Sequence, residues 1–155
     1  EVSGWRRLAT GHQVWVQSWP PMLREMGFLA VHAAPWWPDG LNTVVDFGEW
    51  LRVEGRRWRD LFPYLVGEEN LWRALAELET ADKRILFHGH THQQTIWCWR
   101  PSGGLKKMPA TEVVVGAGYR YVVGVGSVGW PEDGGRASYT LYDTESGLIE
   151  SVRLR

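Results

Sequence analysis

The sequence predicts an α/β fold built in layers, and three observations support that class. Two short apolar runs, Phe28-Leu29-Ala30-Val31 and Arg84-Ile85-Leu86-Phe87-His88, have the length and composition of buried strands. Between them, apolar residues recur at spacings of three, four and seven, as in helices. Beyond residue 93, alternating and β-branched segments are separated by turns. Buried strands interleaved with helices and followed by antiparallel strands indicate a layered domain.

The helical pattern extends from Val44 to Leu78, and Gly67 divides it into two helices. The repeating apolar positions are Trp50, Leu51, Trp58, Leu61 and Phe62 in the first part, then Leu71, Leu75 and Leu78. A polar turn at Asp82 and Lys83 ends the second helix.

The second half of the chain is predicted to form strands. Gln94 to Arg100 alternates, with Ile96 and Cys98 on one face and the intervening residues on the other. A turn over residues 101–104 follows it. Further strands are predicted at Val113 to Val115, Tyr121 to Val123, Ala137 to Tyr142 and Leu148 to Leu154. The last two should pair as a hairpin around residues 144–147.

Length and composition indicate a single globular domain over residues 1–155. The chain has 17 Lys and Arg against 18 Asp and Glu, with 44% apolar residues. Proteins that bind nucleic acid usually carry an excess of positive charge, and this chain has a net charge near zero. We therefore do not expect a nucleic-acid partner. The basic residues Arg52, Arg56, Arg57 and Arg59 cluster on a helical stretch, where either phosphate recognition or a solvated helix face would explain them.

Cysteine content and hydropathy bear on the location of the protein. Cys98 is the sole cysteine, so a disulfide-stapled scaffold is excluded and the residue is expected to pack as a small apolar side chain. No apolar run approaches the ~18 residues of a membrane span, and no leader precedes the domain. We therefore expect a soluble, cytoplasmic protein without a membrane partner. The abrupt start at Glu1 is interpreted as a truncated N-terminus.

Histidines follow both predicted buried strands and are the candidate metal ligands. His32 follows the first strand, and Gly89-His90-Thr91-His92 follows the second. In an extended segment, His90 and His92 would point to the same side, so both imidazoles could face one ion or grip two adjacent ions. A solvated loop is the alternative for an isolated His-x-His.

Three segments in this order resemble the later motifs of calcineurin-like metallophosphoesterases. They are Val31-His32-Ala33-Ala34-Pro35, Gly89-His90-Thr91-His92 and Gly126-Ser127-Val128-Gly129-Trp130-Pro131, followed by Arg136-Ala137-Ser138-Tyr139. The glycine-serine segment is similar to that of the bacterial branch containing small phosphodiesterases and protein-phosphatase-like enzymes. Trp130 and Glu132 depart from the Gln and Arg that are common there, which leaves substrate preference open.

The resemblance implies a layered β-sandwich flanked by helices and a hydrolase of phosphate mono- or diesters. It implies that His32 and His90 bind one metal ion and His92 its neighbour, with two divalent ions (Mn, Fe, Zn or Ni) in the complete enzyme. The substrate would be a phosphorylated small molecule or a phosphoprotein. No residue of this chain is assigned a catalytic role by the resemblance, and no substrate-binding residue is identified.

The early motifs of that family are absent from the sequence. The chain contains no Asp-x-His and no Gly-Asn-His, which would supply the bridging carboxylate, an Asn ligand and the acid for the leaving group. Three neutral imidazoles cannot offset the repulsion of two adjacent dications, so we expect at most one ion in this chain. The N-terminal part of the fold is expected to be missing, and the isolated chain to be nearly inactive. A complementing N-terminal polypeptide or a homo-oligomer is a candidate partner.

Alternatives remain for the whole chain and for single residues. A Trp-rich, non-catalytic ligand-binding module, or an inactivated family relative, is the rival function. His88 is either a fourth ligand or a histidine that donates to a backbone carbonyl, and the second is favoured. Trp36 and Trp37 either wall a cleft or anchor helices. Asp39 would either orient a ligating imidazole or cap a turn. His12 is expected at the surface, and Ser127 is not expected to be a nucleophile.

Overall fold

A computed structural model describes residues 7–20, 22–36, 40–41, 43–57 and 64–154 of the chain. Trp37, Asp39, Trp58, Arg59, Leu61 and Phe62, on which some of the predictions fall, lie outside the described residues, as does Glu1. The described helices are α1 (Thr10–Gln17), α2 (Val44–Val53) and α3 (Glu68–Thr80).

Nine strands run through the described residues and form two sheets. They are β1 (Met22–Arg24), β2 (Phe28–Val31), β3 (Ile85–His88), β4 (Gln94–Arg100), β5 (Gly104–Met108), β6 (Glu112–Val114), β7 (Arg120–Val125), β8 (Ser138–Asp143) and β9 (Leu148–Arg153). The six-stranded sheet has the order β1-β2-β3-β7-β4-β5, and the three-stranded sheet has the order β6-β9-β8.

The centre of the six-stranded sheet is parallel and its flanks are antiparallel. Strands β2, β3 and β7 run in the same direction, with Val31 opposite His88 and His88 opposite Gly124. Strand β4 runs against β7, with Gln94 opposite Val125, so β4 begins where the parallel strands end. All these strand ends therefore meet at one edge of the sheet, which we call the carboxyl edge.

Helix α3 covers one face of the six-stranded sheet because its apolar residues recur on one side. Leu71, Ala74, Leu75 and Leu78 are all at most 4% exposed and pack in one cluster with sheet residues such as Leu86. Burial of each leucine side chain contributes about 1.5–3 kcal/mol. The helix begins after Gly67, whose φ of 82° is a conformation that suits glycine.

The three-stranded sheet covers the opposite face. Ile149 of β9 is fully buried in a cluster with Ile85, Phe87, Ile96 and Cys98 of the six-stranded sheet. The alternation predicted for β4 is confirmed: Ile96 and Cys98 face this cluster, whereas Trp97 and Trp99 pack towards α3. The fold is therefore helix on sheet on sheet, which confirms the predicted layered α/β sandwich.

Most predicted elements are present with small shifts at their ends. Strands β2, β3 and β4 and the β8–β9 hairpin match their predictions. The first helix is shorter than predicted: α2 ends at Val53, and its predicted continuation through Trp58, Leu61 and Phe62 lies outside the described residues. Gly67 directly precedes α3, as predicted. Helix α2 is stabilised at its start by a capping box, in which the Asp46 N–H donates to Thr43 Oγ1 at 3.1 Å and the Thr43 N–H donates to Asp46 Oδ2 at 2.9 Å. Strands β1 and β5 and helix α1 were not predicted. None of the helices described is both long enough and apolar enough to cross a membrane.

Candidate metal centre

The carboxyl edge of the six-stranded sheet brings the predicted histidines together. His32 directly follows β2, and Gly89 directly follows the neighbouring strand β3. The Gly89 N–H donates to the His32 carbonyl oxygen at 3.0 Å, which extends the ladder one residue past both strands. A Cβ at position 89 would lie 3.3 Å from the same oxygen, so glycine suits this close approach. The two histidine segments are thereby fixed side by side.

His32 and His90 form the central pair of the site. Their rings are 5.0 Å apart between centroids, and His32 Nε2 lies 3.2 Å from His90 Nδ1. Two nitrogens bound to one ion at ~2.0–2.1 Å in tetrahedral geometry would be ~3.3 Å apart. The observed separation therefore fits two ligands of a single divalent ion. His32 is exposed and His90 half-buried, so the pair is accessible from solvent.

The surroundings of His32 favour its neutral form. Burial of part of the ring lowers the pKa of His32 below 6.5, and the neighbouring His90 and His92 lower it further by charge repulsion. A neutral imidazole keeps a lone pair on one ring nitrogen, which is the form that binds a metal ion. The lowered pKa of His32 thus leaves this imidazole neutral near pH 7.

The Gly89–His92 segment is a tight turn, and the prediction that it is extended is wrong. His90 has a φ of 59° and His92 a φ of 54°, both in the left-handed region that side chains other than glycine rarely adopt. The Thr91 N–H donates to the Gly89 carbonyl oxygen at 2.6 Å, which closes the turn around His90. The two imidazoles are therefore presented by a strained turn and not by the alternation of a strand.

His92 lies in the same turn but does not complete a three-ligand group. Its charge influences His32, and its Nδ1 is buried without a hydrogen-bond partner among the described residues. Within that same part of the chain, no group of three or more His, Cys, Asp or Glu side chains could hold an ion. The described side chains therefore offer one pair of converging donors, His32 Nε2 and His90 Nδ1, and the structure does not bring His92 into a three-ligand group with them.

His88 is a structural histidine in this arrangement. It is 1% exposed, and its Nδ1–H donates to the Gly89 carbonyl oxygen at 3.1 Å. Burial lowers the pKa of His88 to about 4, although the hydrogen bond to Gly89 opposes the shift. The favoured prediction, a histidine that donates to a backbone carbonyl, agrees with this geometry.

Tyr64 is a site residue that the sequence analysis missed. Its ring is stacked on the His90 imidazole, with centroids 4.5 Å apart and planes inclined by 23°. The segment carrying it is fixed by Asn70, whose side-chain amide donates to the carbonyl oxygens of Tyr64 at 3.1 Å and Val66 at 3.3 Å. No local pattern marks Tyr64, because its importance arises from a contact 26 positions along the chain.

We call the turn at Gly89–His92 the histidine turn. A cleft opens beside it, between the residues preceding α3 and strand β4. It has a volume of about 140 Å³, and a second cavity of about 180 Å³ adjoins it at Gly67 and Trp97. Its polar residues are Thr91, Gln93, Thr95 and Lys107. The Lys107 ammonium lies 5.8 Å from the centroid of the Trp97 ring. The cleft thus joins an aromatic wall to one positive charge next to the histidine turn.

The glycine-serine segment after β7 packs against the same edge. Gly126 has a φ of 85°, and a Cβ there would lie 2.8 Å from Gln94 Cγ and would also overlap Ser138 Oγ. Glycine at position 126 therefore allows the backbone of this segment to pass close to the side chains of Gln94 and Ser138. The Ser127 Oγ accepts the Trp130 N–H at 2.9 Å, which is the role of a turn residue and agrees with the prediction against a nucleophile.

The other candidates that the structure describes make contacts of a different kind. Trp36 packs against the α3 cluster and carries the Arg73 guanidinium 4.2 Å from its ring centroid, as expected of an anchor. Arg52, Arg56 and His12 are exposed, and Arg52 pairs with Glu49 at 3.6 Å, as on a solvated helix face. Trp37, Asp39 and Arg59 lie outside the described residues.

Sequence comparisons find no matching family, whereas the fold is clearly related to known structures. No protein-family model and no curated protein match the chain. The layered sheet with its helix face and its second sheet has the fold of a metallophosphoesterase. A solved structure that matches it is that of a metallophosphoesterase from Sphaerobacter thermophilus, with a TM-score of 0.62 and 21% identity over all of this chain.

The chain spans 57% of the length of that solved protein. This partial coverage agrees with the prediction that the chain corresponds to only a portion of such a fold. At such an identity the similarity concerns the fold, and the chemistry must be argued from the site itself.

Proposed function

We propose that this chain provides the histidine ligands of a divalent-metal site in a hydrolase of phosphate mono- or diesters. The observation that carries the proposal is the His32–His90 nitrogen separation of 3.2 Å at the carboxyl edge. Pairs of imidazoles at a strand-end edge are a common arrangement for first-row divalent ions. The fold similarity to a metallophosphoesterase supports the same conclusion.

In this proposal His32 Nε2 and His90 Nδ1 hold one ion, and His92 contributes to the same ion or to its neighbour. Divalent ions in such enzymes clamp the phosphate and lower the pKa of a bound water so that hydroxide is available near pH 7. The complete enzyme would use two ions of Mn, Fe, Zn or Ni, and this chain would hold at most one. It would act in the cytoplasm on a phosphorylated small molecule or a phosphoprotein.

Anionic oxygen ligands are needed before two dications can sit side by side. We propose that a complementing N-terminal polypeptide, or a second copy of the chain, supplies them. The described residues would then position the phosphate-binding edge, while the isolated chain hydrolyses phosphate esters poorly.

The cleft beside the turn is the proposed location of the substrate's organic part. Lys107 would attract a second negative charge on the substrate, and Trp97 would contact an apolar or aromatic portion. Thr91 and Gln93 line both the histidine turn and the cleft, so a phosphate held at His90 would continue into it.

The rival function, a Trp-rich ligand-binding module, has less support from the described residues. Trp36 has Arg73 on its ring, and Trp99 has Arg120 with the guanidinium carbon 5.4 Å from the ring centroid. Such rings are already covered by a cation and are less available for stacking on a sugar. Trp36 and Trp99 therefore have less free ring surface for a ligand than the exposed rings of Trp15, Trp19 and Trp130.

The experiment is a titration of Mn²⁺ and Zn²⁺ into the full chain by calorimetry, with His32→Ala, His90→Ala, His92→Ala and the control His12→Ala. We expect one ion, a loss of affinity of tenfold or more for His32→Ala and His90→Ala, and no change for His12→Ala. Hydrolysis of p-nitrophenyl phosphate and its diester is then compared between this chain and the chain extended upstream. If His90→Ala binds metal as tightly as the unaltered chain, the proposed ligand set is wrong.

A further inference from the structure

Two consecutive residues of the loop between β7 and β8, Glu132 and Asp133, form hydrogen bonds to the backbone of His92 and Gln94. The Glu132 N–H donates to the His92 carbonyl oxygen at 3.0 Å. The Asp133 carboxylate accepts the Gln94 N–H through Oδ2 at 2.6 Å. These two bonds hold the backbone on both sides of Gln93, immediately after His92.

The backbone of His92 needs such support because it is strained. Its φ of 54° is one of only three positive values at non-glycine residues in the described part of the chain. A left-handed conformation at a residue with a Cβ costs energy and persists only where its surroundings determine it. The bond from Glu132 holds the His92 carbonyl directly, and the bond to Asp133 holds the backbone two residues further on, at Gln94.

Asp133 is itself held rigidly from the other sheet. The Arg153 guanidinium on β9 donates to Asp133 Oδ2 at 2.7 Å and to the Asp133 carbonyl oxygen at 2.7 Å. The Asp133 side chain is only 16% exposed, whereas the Arg153 side chain is 37% exposed, so the carboxylate is shielded and the guanidinium partly reaches solvent. Charge-assisted bonds of this kind are shorter and stronger than neutral ones, which makes Asp133 a firm anchor.

We propose that Asp133 is a positioning residue, which keeps His92 in its left-handed conformation beside the His32 and His90 pair. Asp133 does not bind the metal or the substrate; it acts through the backbone of the histidine turn. The metal-binding consequence rests on the proposed function, whereas the effect on the His92 backbone does not. Arg153 extends the same link to the three-stranded sheet.

The test compares Asp133→Ala and Asp133→Asn with Asp143→Ala in the full chain. Asp143 is a suitable control because it also accepts backbone N–H groups, from Glu145 at 2.9 Å and Ser146 at 3.4 Å, but in the β8–β9 turn. The first readout is the backbone conformation of His92, from its three-bond N–H to Hα coupling and its chemical shifts without metal. The second is the affinity for Mn²⁺ by calorimetry.

We expect Asp133→Ala to lose the left-handed signature of His92 and about tenfold in Mn²⁺ affinity, as for residues that orient metal ligands. Asp133→Asn should be intermediate, because its amide oxygen still accepts the Gln94 N–H but no longer pairs with Arg153 as a charge. Asp143→Ala should lower thermal stability without changing either readout. If Asp133→Ala does not fold, the graded effect of Asp133→Asn decides the question.

An unchanged His92 coupling in the folded Asp133 variants overturns the inference. An unaltered chain that binds no Mn²⁺ counts against the proposed function instead, and the coupling measurement still decides the role of Asp133. Equal losses of Mn²⁺ affinity in Asp133→Ala and Asp143→Ala would show general destabilisation and would also overturn it.

Discussion

The ring of Tyr64 lies against the imidazole of His90, with 4.5 Å between centroids and 23° between planes. Stacking covers one face of the imidazole and restricts rotation of the ring. In this orientation His90 Nδ1 lies 3.2 Å from His32 Nε2. A residue outside the histidine motifs thus influences the direction of a proposed metal ligand.

Replacement of Tyr64 by alanine should weaken metal binding at the His32–His90 pair. An aromatic pair of this kind contributes about 0.5–1.5 kcal/mol, which corresponds to a loss of about twofold to tenfold in affinity. Tyr64→Phe keeps the ring and should bind metal like the unaltered chain. Calorimetric titration with Zn²⁺ measures the difference, and equal affinities of the alanine and phenylalanine variants would contradict the role of stacking.

Acidification should destabilise the fold through His88. Its pKa in the folded protein is about 4, against an ordinary value of 6.5, so the unfolded chain binds a proton first as the pH falls. The stabilisation is complete above pH 6.5 and is lost between pH 6.5 and 4, by roughly 3 kcal/mol in total. Urea unfolding at several pH values measures the slope.

His88→Gln should flatten this slope because the titrating group is gone. His12→Gln is the matched control, since His12 is exposed on α1 and should leave the slope unchanged. His32, whose pKa is also lowered, contributes in the same direction and remains in both variants. A slope as steep in His88→Gln as in the unaltered chain would contradict the prediction.

Gly126→Ala should destabilise the domain by about 2–5 kcal/mol. The left-handed backbone costs a residue with a Cβ about 1–2 kcal/mol, and the overlap with Ser138 and Gln94 adds about 1–3 kcal/mol. Gly129→Ala is the control in the same loop, because a Cβ there meets nothing within 4 Å. Its effect should stay within about 0.5 kcal/mol. Free energies of unfolding in urea provide the comparison.

Lys107→Ala should weaken the binding of doubly charged aryl phosphates in the presence of Mn²⁺. An exposed ion pair contributes up to about 1 kcal/mol, so a loss of up to about fivefold is expected. Lys106→Ala is the matched control, since Lys106 pairs with Cys98 and points to the other face of β5. The dissociation constants of p-nitrophenyl phosphate and a carboxylated analogue should separate the two lysines, and equal effects would argue against the cleft.

Local sequence patterns predicted the elements whose residues alternate or repeat clearly. Strand β4 was predicted with its observed bounds, because each of its residues alternates between two buried layers. Strand β5 was missed: Gly104-Leu105-Lys106-Lys107-Met108 has little apolar content, and its pairing with β4 supplies the order that its own sequence lacks. Strand β1 was also missed, because it is only three residues long and its order likewise comes from pairing with a neighbouring strand, β2.

The sequence predicted that His32 and His90 would lie close together, but not the geometry of the turn that carries His90 and His92. His32 and His90 follow buried strands, so their convergence could be anticipated from chain direction alone. The positive φ values of His90 and His92 could not, because no glycine or asparagine marks them. Asp133 contacts Gln94 over 39 positions and Tyr64 contacts His90 over 26, and contacts over such separations leave no periodic signal in a single sequence.

The buried Cys98 thiol allows the opening of the six-stranded sheet around β4 to be measured. It is the sole cysteine of the chain, it is 1% exposed, and it lies in β4 between β7 and β5. A thiol reagent can reach it only when that part of the sheet separates, so the labelling rate measures the free energy of opening. A ligand that binds only the folded chain must slow the labelling in proportion to its occupancy. Covalent labelling of one sulfur atom can therefore detect binding at the carboxyl edge without any enzymatic assay.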